Sequence, residues 1–309
     1  MENIKRVIIV HSSNSTRAKK YQLVRADFES LAEKNNWVID EIELVGVPYF
    51  EAIKQIMPKL RDNDLVIAAG GDGITQVTFN AVYSSRQDVV FATIPLGNSN
   101  DTSRAFNGKH RSVTAIVDQP VVDFYPLNVV TNNHHNLAIA SYISFGATTI
   151  LVDYLNADSG RSMRKRLKAL TPAASLPIKE LGNISRAINE LDFPDFTRSN
   201  EVMTDDSIGF FIIPAAHNVL RLPKDVRLAS SEFFFHHAVT KDKDLIKKAL
   251  MAGRWALKFP GEMTELEELD FGDNQIDIIA NVSGDNINLG PIKRLSAIRS
   301  TRPVKILFN

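Results

Sequence analysis

The chain has 309 residues, enough for two domains with substantial cores. Its 36 basic and 36 acidic residues balance, so the strong positive charge typical of nucleic-acid-binding proteins is absent and no nucleic-acid partner is expected. The absence of cysteine excludes disulfides, thiolate metal sites and a cysteine nucleophile. No apolar run approaches the roughly 20 residues of a membrane-spanning helix, and the apolar patch in Met1–Val10 is too short for a signal peptide, so a soluble cytoplasmic protein is expected.

The first 120 residues alternate between apolar runs and patterns with helical spacing. The predicted strands are Val7–Val10, Trp37–Leu44, Leu65–Ala69 and Val89–Ile94. Amphipathic helices are predicted between these strands, and a further short helix is predicted over Val113–Val117. The order β-α-β-α-β-α-β predicts an α/β domain whose parallel sheet is covered by helices on both faces.

The strand Leu65–Ala69 is followed by the turn Gly70-Gly71-Asp72-Gly73. Glycines let the backbone turn sharply and approach a ligand closely, because no Cβ is in the way. A helix that begins there points N–H groups at whatever lies above the sheet, which favours phosphate. A carboxylate beside phosphate requires a metal ion or a proton, so Asp72 is a candidate for a base or for a metal-associated carboxylate.

The strand Val89–Ile94 leads into a second polar turn, which contains Gly97, Asn98, Ser99, Asn100 and Asp101. Asn and Ser side chains supply donors and acceptors for sugar, base or phosphate. An ordinary capped helix start would explain this turn equally well if it stood alone. Two such turns after neighbouring strands, however, predict a nucleotide crevice at the edge of an α/β sheet.

From Val121 the pattern changes to the alternation that is typical of antiparallel strands. Further β-type runs are Ile208–Ile213, Phe233–Val239 and Ile276–Val282. The acidic stretch from Gly261 to Asp270 indicates a solvated helix or turn. The sequence therefore predicts a second, mostly β domain that begins between Pro120 and Pro126.

The two glycine turns, Gly70–Gly73 and Pro95–Asp101, resemble the catalytic domain of the diacylglycerol kinase family. This family includes bacterial lipid kinases and the sphingosine and ceramide kinases, and it is distantly related to NAD kinase. The resemblance implies transfer of the γ-phosphate of ATP, with Mg²⁺, to a lipid hydroxyl such as that of diacylglycerol. It also implies a nucleotide domain over residues 1–125, a β-rich sandwich domain over residues 126–290, and a segment 291–309 that returns to the first domain.

Carried over residue by residue, the resemblance implies nucleotide contacts for Gly70, Gly71, Gly73, Gly97, Asn98, Asn100 and Asp101. It implies base or metal chemistry for Asp72 and identifies no further metal ligand. A lipid substrate implies peripheral membrane contact, for which the basic stretch Arg161–Lys168 is a candidate, with a solvated helix face as the alternative. A homodimer remains open.

Three departures from the family pattern bear on activity. Val77 stands where relatives have a Glu, and it cannot accept a hydrogen bond. Ala229-Ser230-Ser231 replaces an acidic Asp-Asp-Gly metal motif of the bacterial relatives. Ser283 occupies the position of the Asp that these enzymes use as a base. Two alternatives follow: Asp285, at the position of the family's Glu, reaches inward as the second catalytic residue, or Asp72 works alone.

Three functions follow from these observations. The first is an active, ATP-dependent lipid kinase of phospholipid metabolism. The second is a degenerate family member that binds nucleotide or lipid without turnover, as the three departures suggest. The third is a kinase of a soluble substrate, closer to NAD kinase.

Overall fold

The computed structural model describes residues 4–13, 18–97, 100–108, 112–150, 186–187, 193–198, 201–203, 207–214, 233–239, 262–273 and 276–308. Three six-stranded sheets organise these residues. The basic stretch Arg161–Lys168, the Ala229-Ser230-Ser231 motif and Asn98 lie outside the described residues. The backbone of Asp101 is described, but its side chain is not.

The amino-terminal part of the chain has the predicted alternation of strands and helices. Its elements are β1 (Arg6–His11), α1 (Ala18–Asn35), β2 (Val38–Glu43), α2 (Tyr49–Ile56), β3 (Asp64–Gly70), α3 (Asp72–Ser85), β4 (Val90–Pro95), α4 (Asp101–Asn107), α5 (Val113–Val117) and β5 (Val121–Phe124). None of the helices that can be followed in the described ranges is both long and apolar enough to cross a lipid bilayer.

The first sheet has the strand order β2-β1-β3-β4-β18-β5, in which β18 (Val304–Leu307) is the last strand of the chain. Its neighbouring strands are parallel except for β5, which runs antiparallel to β18. Helices α1 and α5 pack on one face, and α2, α3 and α4 pack on the other. Every residue of β3 is buried, because helices cover both faces of this central strand. The predicted α/β arrangement is confirmed.

The remaining strands form two antiparallel sheets. They are β6 (Leu127–Thr131), β7 (Asn136–Ile139), β8 (Ile143–Gly146), β9 (Phe196–Arg198), β10 (Glu201–Met203), β11 (Ser207–Pro214), β12 (Phe233–Val239), β13 (Glu262–Thr264), β14 (Leu266–Asp270), β15 (Asp277–Val282), β16 (Asp285–Pro291) and β17 (Arg294–Arg299). The sheet orders are β10-β9-β14-β17-β6-β7 and β13-β12-β11-β8-β15-β16. Both sheets contribute side chains to one apolar core, so the predicted β-rich sandwich is confirmed.

The prediction of a solvated helix or turn over the acidic stretch from Gly261 to Asp270 was wrong. Two strands, β13 and β14, lie there, and Glu267 is only 3% exposed. The Glu267 carboxylate accepts hydrogen bonds from Arg198 Nε at 2.7 Å and Nη2 at 2.9 Å. This bidentate pair makes burial of the acid tolerable, and Leu269 enters the core on the same face.

The chain crosses between the first sheet and the sandwich twice, and the two crossings touch. The Ser300 N–H donates to the Pro126 carbonyl at 2.8 Å, and the Ser300 hydroxyl is 2.9 Å from the Tyr83 hydroxyl of α3. Strand β17 still belongs to the sandwich, so the return to the first sheet comes after Arg299, later than the predicted residue 291. The division into domains stays a prediction.

The return of β18 to the first sheet can be tested by stability measurements. Ile306 is fully buried between β4 and β5, so we expect Ile306→Ala to lower the free energy of unfolding by about 2–5 kcal/mol. The control is Val38→Ala on the edge strand β2, where Val38 is 60% exposed and the expected change is within about 0.5 kcal/mol. Urea unfolding measures both changes, and equal values for the two variants would contradict the placement of β18.

Candidate nucleotide and catalytic site

The two glycine turns lie side by side at the carboxyl edge of the first sheet. Gly70 is opposite Pro95 in the register of β3 and β4. The Gly70 carbonyl accepts hydrogen bonds from the N–H groups of Leu96 at 2.8 Å and Gly97 at 3.1 Å. The first turn therefore anchors the second, at the sheet edge where the sequence predicted a nucleotide crevice.

Contact between the turns requires their glycines. A Cβ on Gly97 would overlap the Cα of Gly71, and a Cβ on Gly71 would lie 3.3 Å from the Cα of Gly97. A Cβ on Gly70 would lie 2.6 Å from the Cβ of Ile74 in the first turn of α3. Mutual packing is thus a sufficient reason for glycine at these three positions, whereas the sequence interpretation relied on the approach of a ligand. Their nucleotide contacts stay a prediction.

Asn100 closes the second turn. Its backbone has a φ of +54°, in the left-handed region that Asn tolerates better than most residues. Its Oδ1 accepts the Gly97 N–H at 2.7 Å, and its Nδ2 donates to the Gly97 carbonyl at 2.8 Å. The predicted nucleotide ligand Asn100 therefore holds the shape of the turn, and Asp101 follows as the first residue of α4.

Asp72 joins the amino ends of two helices. It is the first residue of the 14-residue helix α3, and its Oδ1 accepts the Thr102 N–H of α4 at 3.0 Å. A negative charge is favourable near helix amino ends, so this bridge stabilises the arrangement of both turns. The residue before the helix is Gly71, which has no side chain to cap the first N–H groups of α3. This end of α3 is suited to an anion.

Asp285 reaches the same end of α3 from the sandwich. Strands β15 and β16 are joined by Ser283-Gly284, both with positive φ (+52° and +99°), as in a type I′ hairpin turn. This tight turn brings the Asp285 carboxylate against Gly73, where a Cβ would overlap Asp285 Oδ2. A side chain at position 73 would therefore require the Asp285 carboxylate to move away from α3. The two predicted catalytic carboxylates thus both belong to the surroundings of the first turn of α3.

The surroundings of Asp285 change its acidity. The residue Asp285 has solvent-exposed surface. Protein atoms nevertheless displace water from around its carboxyl group, and this desolvation raises the pKa of the Asp285 carboxyl. The pKa of the nearby Tyr49 hydroxyl is also raised, first by burial and further by the negative charge of Asp285. A carboxyl with a raised pKa is a better proton acceptor than an ordinary aspartate, which suits a general base.

The sequence interpretation missed two amides on α3. Gln76 and Asn80 are fully buried, and both bind the backbone of β7, the outer strand of a sandwich sheet. Gln76 Nε2 donates to the Ala138 carbonyl at 2.5 Å, and the Ala138 N–H donates to Asn80 Oδ1 at 2.8 Å. Asp72, Gln76 and Asn80 recur every four residues, so a stripe of carboxylate and amide side chains along one face of the helix was the available signal.

The structure also places two of the departures from the family pattern. Val77 is buried in the core between α3 and the first sheet, so an apolar residue fills the position of the family's Glu. Ser283 is buried beneath the hairpin turn, and its hydroxyl is 3.4 Å from Gln76 Oε1. Across the described residues, no three His, Asp or Glu side chains come together as a metal-binding group.

The contact between the glycine turns predicts unequal effects of alanine at its two sides. Gly97→Ala forces the turns apart, and we expect it to lower the free energy of unfolding by about 1–3 kcal/mol, as overpacking does. Gly71→Ala meets its neighbour only at 3.3 Å and serves as the matched control with a smaller loss. Urea unfolding of the two variants makes the comparison, and a larger loss for Gly71→Ala would contradict the contact.

The raised pKa of Asp285 predicts a pH-dependent gain in stability when its charge is removed. Because the folded state binds the proton more tightly than the unfolded state, the wild type loses stability as the pH rises from the ordinary value of 3.8 through the raised pKa. We therefore expect Asp285→Asn to be more stable than the wild type at pH 7, with the difference shrinking below pH 3.8.

Thermal unfolding at pH 7 and at a pH below 3.8 measures the difference in stability between Asp285→Asn and the wild type. Asp27→Asn, at an exposed position on α1, is the control and should change stability little at either pH. An Asp285→Asn variant less stable than the wild type at pH 7 would mean that the carboxylate is stabilised by its surroundings.

Comparison with known proteins supports the resemblance to the diacylglycerol kinase family. Residues 6–121 match the family of diacylglycerol kinase catalytic domains. Two solved structures of Bacillus anthracis str. Sterne proteins, provisionally named diacylglycerol kinases, are 13% identical with a TM-score of 0.63, covering 99% of this chain and 97% and 98% of theirs. A third, named a diacylglycerol kinase from the same organism, is 12% identical with a TM-score of 0.63 and covers 99% of this chain and 97% of its own.

A search of curated protein sequences gave no match. The chain shares its fold with these solved structures, and its residues 6–121, which contain both glycine turns and Asp72, match the diacylglycerol kinase catalytic domain family.

Proposed function

We propose that the protein is an ATP-dependent lipid kinase, which transfers the γ-phosphate to a lipid hydroxyl such as that of diacylglycerol. The observation that carries this proposal is the placement of two carboxylates at the glycine-led amino end of α3: Asp72 is the first residue of the helix, and Asp285 of the sandwich lies against Gly73. The kinase family match over residues 6–121 supports a phosphotransferase.

The first turn of α3 is the proposed phosphate site. Its N–H groups and helix dipole favour an anion, and Gly71 leaves them without a side-chain cap. The glycines of the two turns line this site: Gly70, Gly71, Gly73 and Gly97. On the same proposal Asn98, Asn100 and Asp101 border the nucleotide, with Asn100 acting through the shape of its turn. ATP supplies the transferable phosphoryl group there.

Mg²⁺ fits this site through one protein carboxylate. Mg²⁺ is commonly held by one or two carboxylates together with substrate phosphates and water, rather than by an all-protein cage. Asp72 lies at the amino end of α3 and supplies such a carboxylate.

Asp285 is the proposed base that accepts the proton of the acceptor hydroxyl. Its raised pKa makes it a stronger proton acceptor, and its hairpin holds it beside the phosphate site. Ser283, at the family's base position, cannot take this role because a hydroxyl is a poor proton acceptor. On this proposal the protein is cytoplasmic and meets its lipid at the membrane surface; dimer formation also stays a proposal.

Labelled ATP gives a direct test. The protein is incubated with radiolabelled ATP, Mg²⁺ and a panel containing diacylglycerol, sphingosine, ceramide, NAD and sugars. We expect a labelled lipid product, and we expect Asp285→Asn to lower kcat by about 10²–10⁴, as loss of a base does. Asp72→Asn should also lower kcat, because it removes the carboxylate proposed to hold Mg²⁺. Asp27→Asn is the control and should retain full activity.

Two results would contradict the proposal: no labelled lipid from the wild type, or undiminished transfer by Asp72→Asn. A labelled NAD product instead would indicate a soluble-substrate kinase. The second candidate function, nucleotide binding without turnover, is favoured by the buried Ser283 at the base position. Heat of ATP binding in calorimetry, without any transfer product, would support that candidate.

A further inference from the structure

The polar stripe of α3 connects the phosphate site to the sandwich. Asp72, Gln76 and Asn80 are spaced four residues apart, so they follow one another along one face of the helix. Asp72 is at the site, and Gln76 and Asn80 are fully buried where α3 meets β7. A buried amide is costly unless it is hydrogen-bonded, so the partners of these two side chains define the joint.

The two amides form hydrogen bonds with the backbone at the edge of β7, where a neighbouring strand would otherwise pair. The Ala138 carbonyl accepts from Gln76 Nε2 at 2.5 Å and from Asn80 Nδ2 at 2.9 Å, and the Ala138 N–H donates to Asn80 Oδ1 at 2.8 Å. Asn80 Nδ2 also lies 3.0 Å from the Tyr49 hydroxyl. Gln76 and Asn80 therefore share the task of fixing α3 on the sandwich.

Gln76 has a second set of contacts that Asn80 lacks in the described structure. Gln76 Oε1 accepts from the Ala140 N–H at 3.3 Å and from the Ser283 hydroxyl at 3.4 Å. The Ser283 N–H in turn donates to the Tyr142 carbonyl at 3.2 Å. Gln76 thus reaches the β15–β16 turn directly through the Ser283 hydroxyl, and also through the β7–β8 connection that holds the Ser283 N–H.

The position of this turn determines the position of Asp285. Asp285 follows Ser283-Gly284 at once and pairs with Val282 across the hairpin, so it moves with the turn. Its carboxylate rests on Gly73, three residues before Gln76 on α3. Helix α3 therefore contacts the hairpin at two points: the Gly73 backbone touches the carboxylate, and the Gln76 amide holds the turn that carries it.

We propose that Gln76 is a positioning residue, which holds the Ser283-Gly284 turn and so fixes the Asp285 carboxylate against the first turn of α3. The catalytic consequence of this positioning rests on the proposed function. A displacement of a reacting group by about 1 Å can cost about 10²-fold in rate. Gln76 then sets the rate of the chemical step without touching substrate.

A matched pair of variants tests the proposal. Gln76→Ala and Asn80→Ala each remove a fully buried amide bonded to Ala138, so both should lower the free energy of unfolding. We expect Gln76→Ala to lower kcat about 10–100-fold with the KM for ATP changed less than about threefold, since positioning acts on the chemical step. Asn80→Ala should keep kcat within about threefold of the wild type. Equal kcat losses in both variants would overturn the proposal.

A double variant distinguishes positioning from a general structural role. If Gln76 acts through Asp285, then Gln76→Ala combined with Asp285→Asn should be no slower than Asp285→Asn alone. Multiplying losses would overturn the proposal. If Gln76→Ala does not fold, Ser283→Ala is the variant to use, because it keeps the hydrogen bonds of Gln76 to Ala138 and Ala140. We expect Ser283→Ala to lower kcat less than Gln76→Ala does. Combined with Asp285→Asn, it should lower kcat no further.

Crystal structures of the variants give a readout that does not depend on activity. We expect the Asp285 carboxylate to move away from Gly73 in Gln76→Ala, and to stay in Asn80→Ala. A wild type that transfers no phosphate to any acceptor would refute the proposed function, while these structures would still decide the positioning. An unmoved Asp285 in both Gln76→Ala and Ser283→Ala would overturn it.

Discussion

The arrangement of the site depends on one backbone contact, between Gly71 and Gly97 at the carboxyl edge of the parallel sheet. A side chain on Gly97 would overlap Gly71, so the two turns approach this closely because Gly97 lacks a Cβ, while a Cβ on Gly71 would be a tighter but smaller obstacle. This approach brings the Asp72 carboxylate within 3.0 Å of the Thr102 N–H. The amino ends of α3 and α4 are thereby fixed together, and the Asn100 amide locks the second turn in its left-handed conformation.

Helix α3 carries three different tasks on three parts of its surface. Its apolar face, with Val77 and Phe79, packs into the core above the first sheet. Its polar stripe, with Gln76 and Asn80, completes the edge of β7 and joins the sandwich to the helix. Its amino end offers N–H groups and Asp72 to the proposed phosphate. One rigid helix therefore relates the sheet, the sandwich and the site to each other, and a shift of α3 would disturb all three.

The sequence predicted the parts of the fold that local patterns encode. Buried strands such as Leu65–Ala69 are continuous apolar runs, and the glycine turns stand directly after them. Strand β14 was missed because its buried Glu267 depends on Arg198, which is 69 residues away in sequence. The contact between Asp285 and Gly73 was equally hidden, since it arises from the folding of a hairpin onto a helix rather than from any spacing in the chain. Both carboxylates could be predicted from the sequence, but the position of Asp285 beside the amino end of α3 is a property of the tertiary structure.

The serine at position 283 and the glutamine at position 76 are chemically consistent with each other. Gln76 Nε2 is held by the Ala138 carbonyl, so Oε1 must face Ser283, and a hydroxyl can donate to that oxygen. An ionised aspartate at position 283 would set a buried carboxylate against the same oxygen, with acceptor facing acceptor. Restoring the family's base at this position would therefore strain the joint unless Gln76 changed as well. The serine under the turn and the proposed base just after it are therefore compatible, with the turn supporting the position of Asp285.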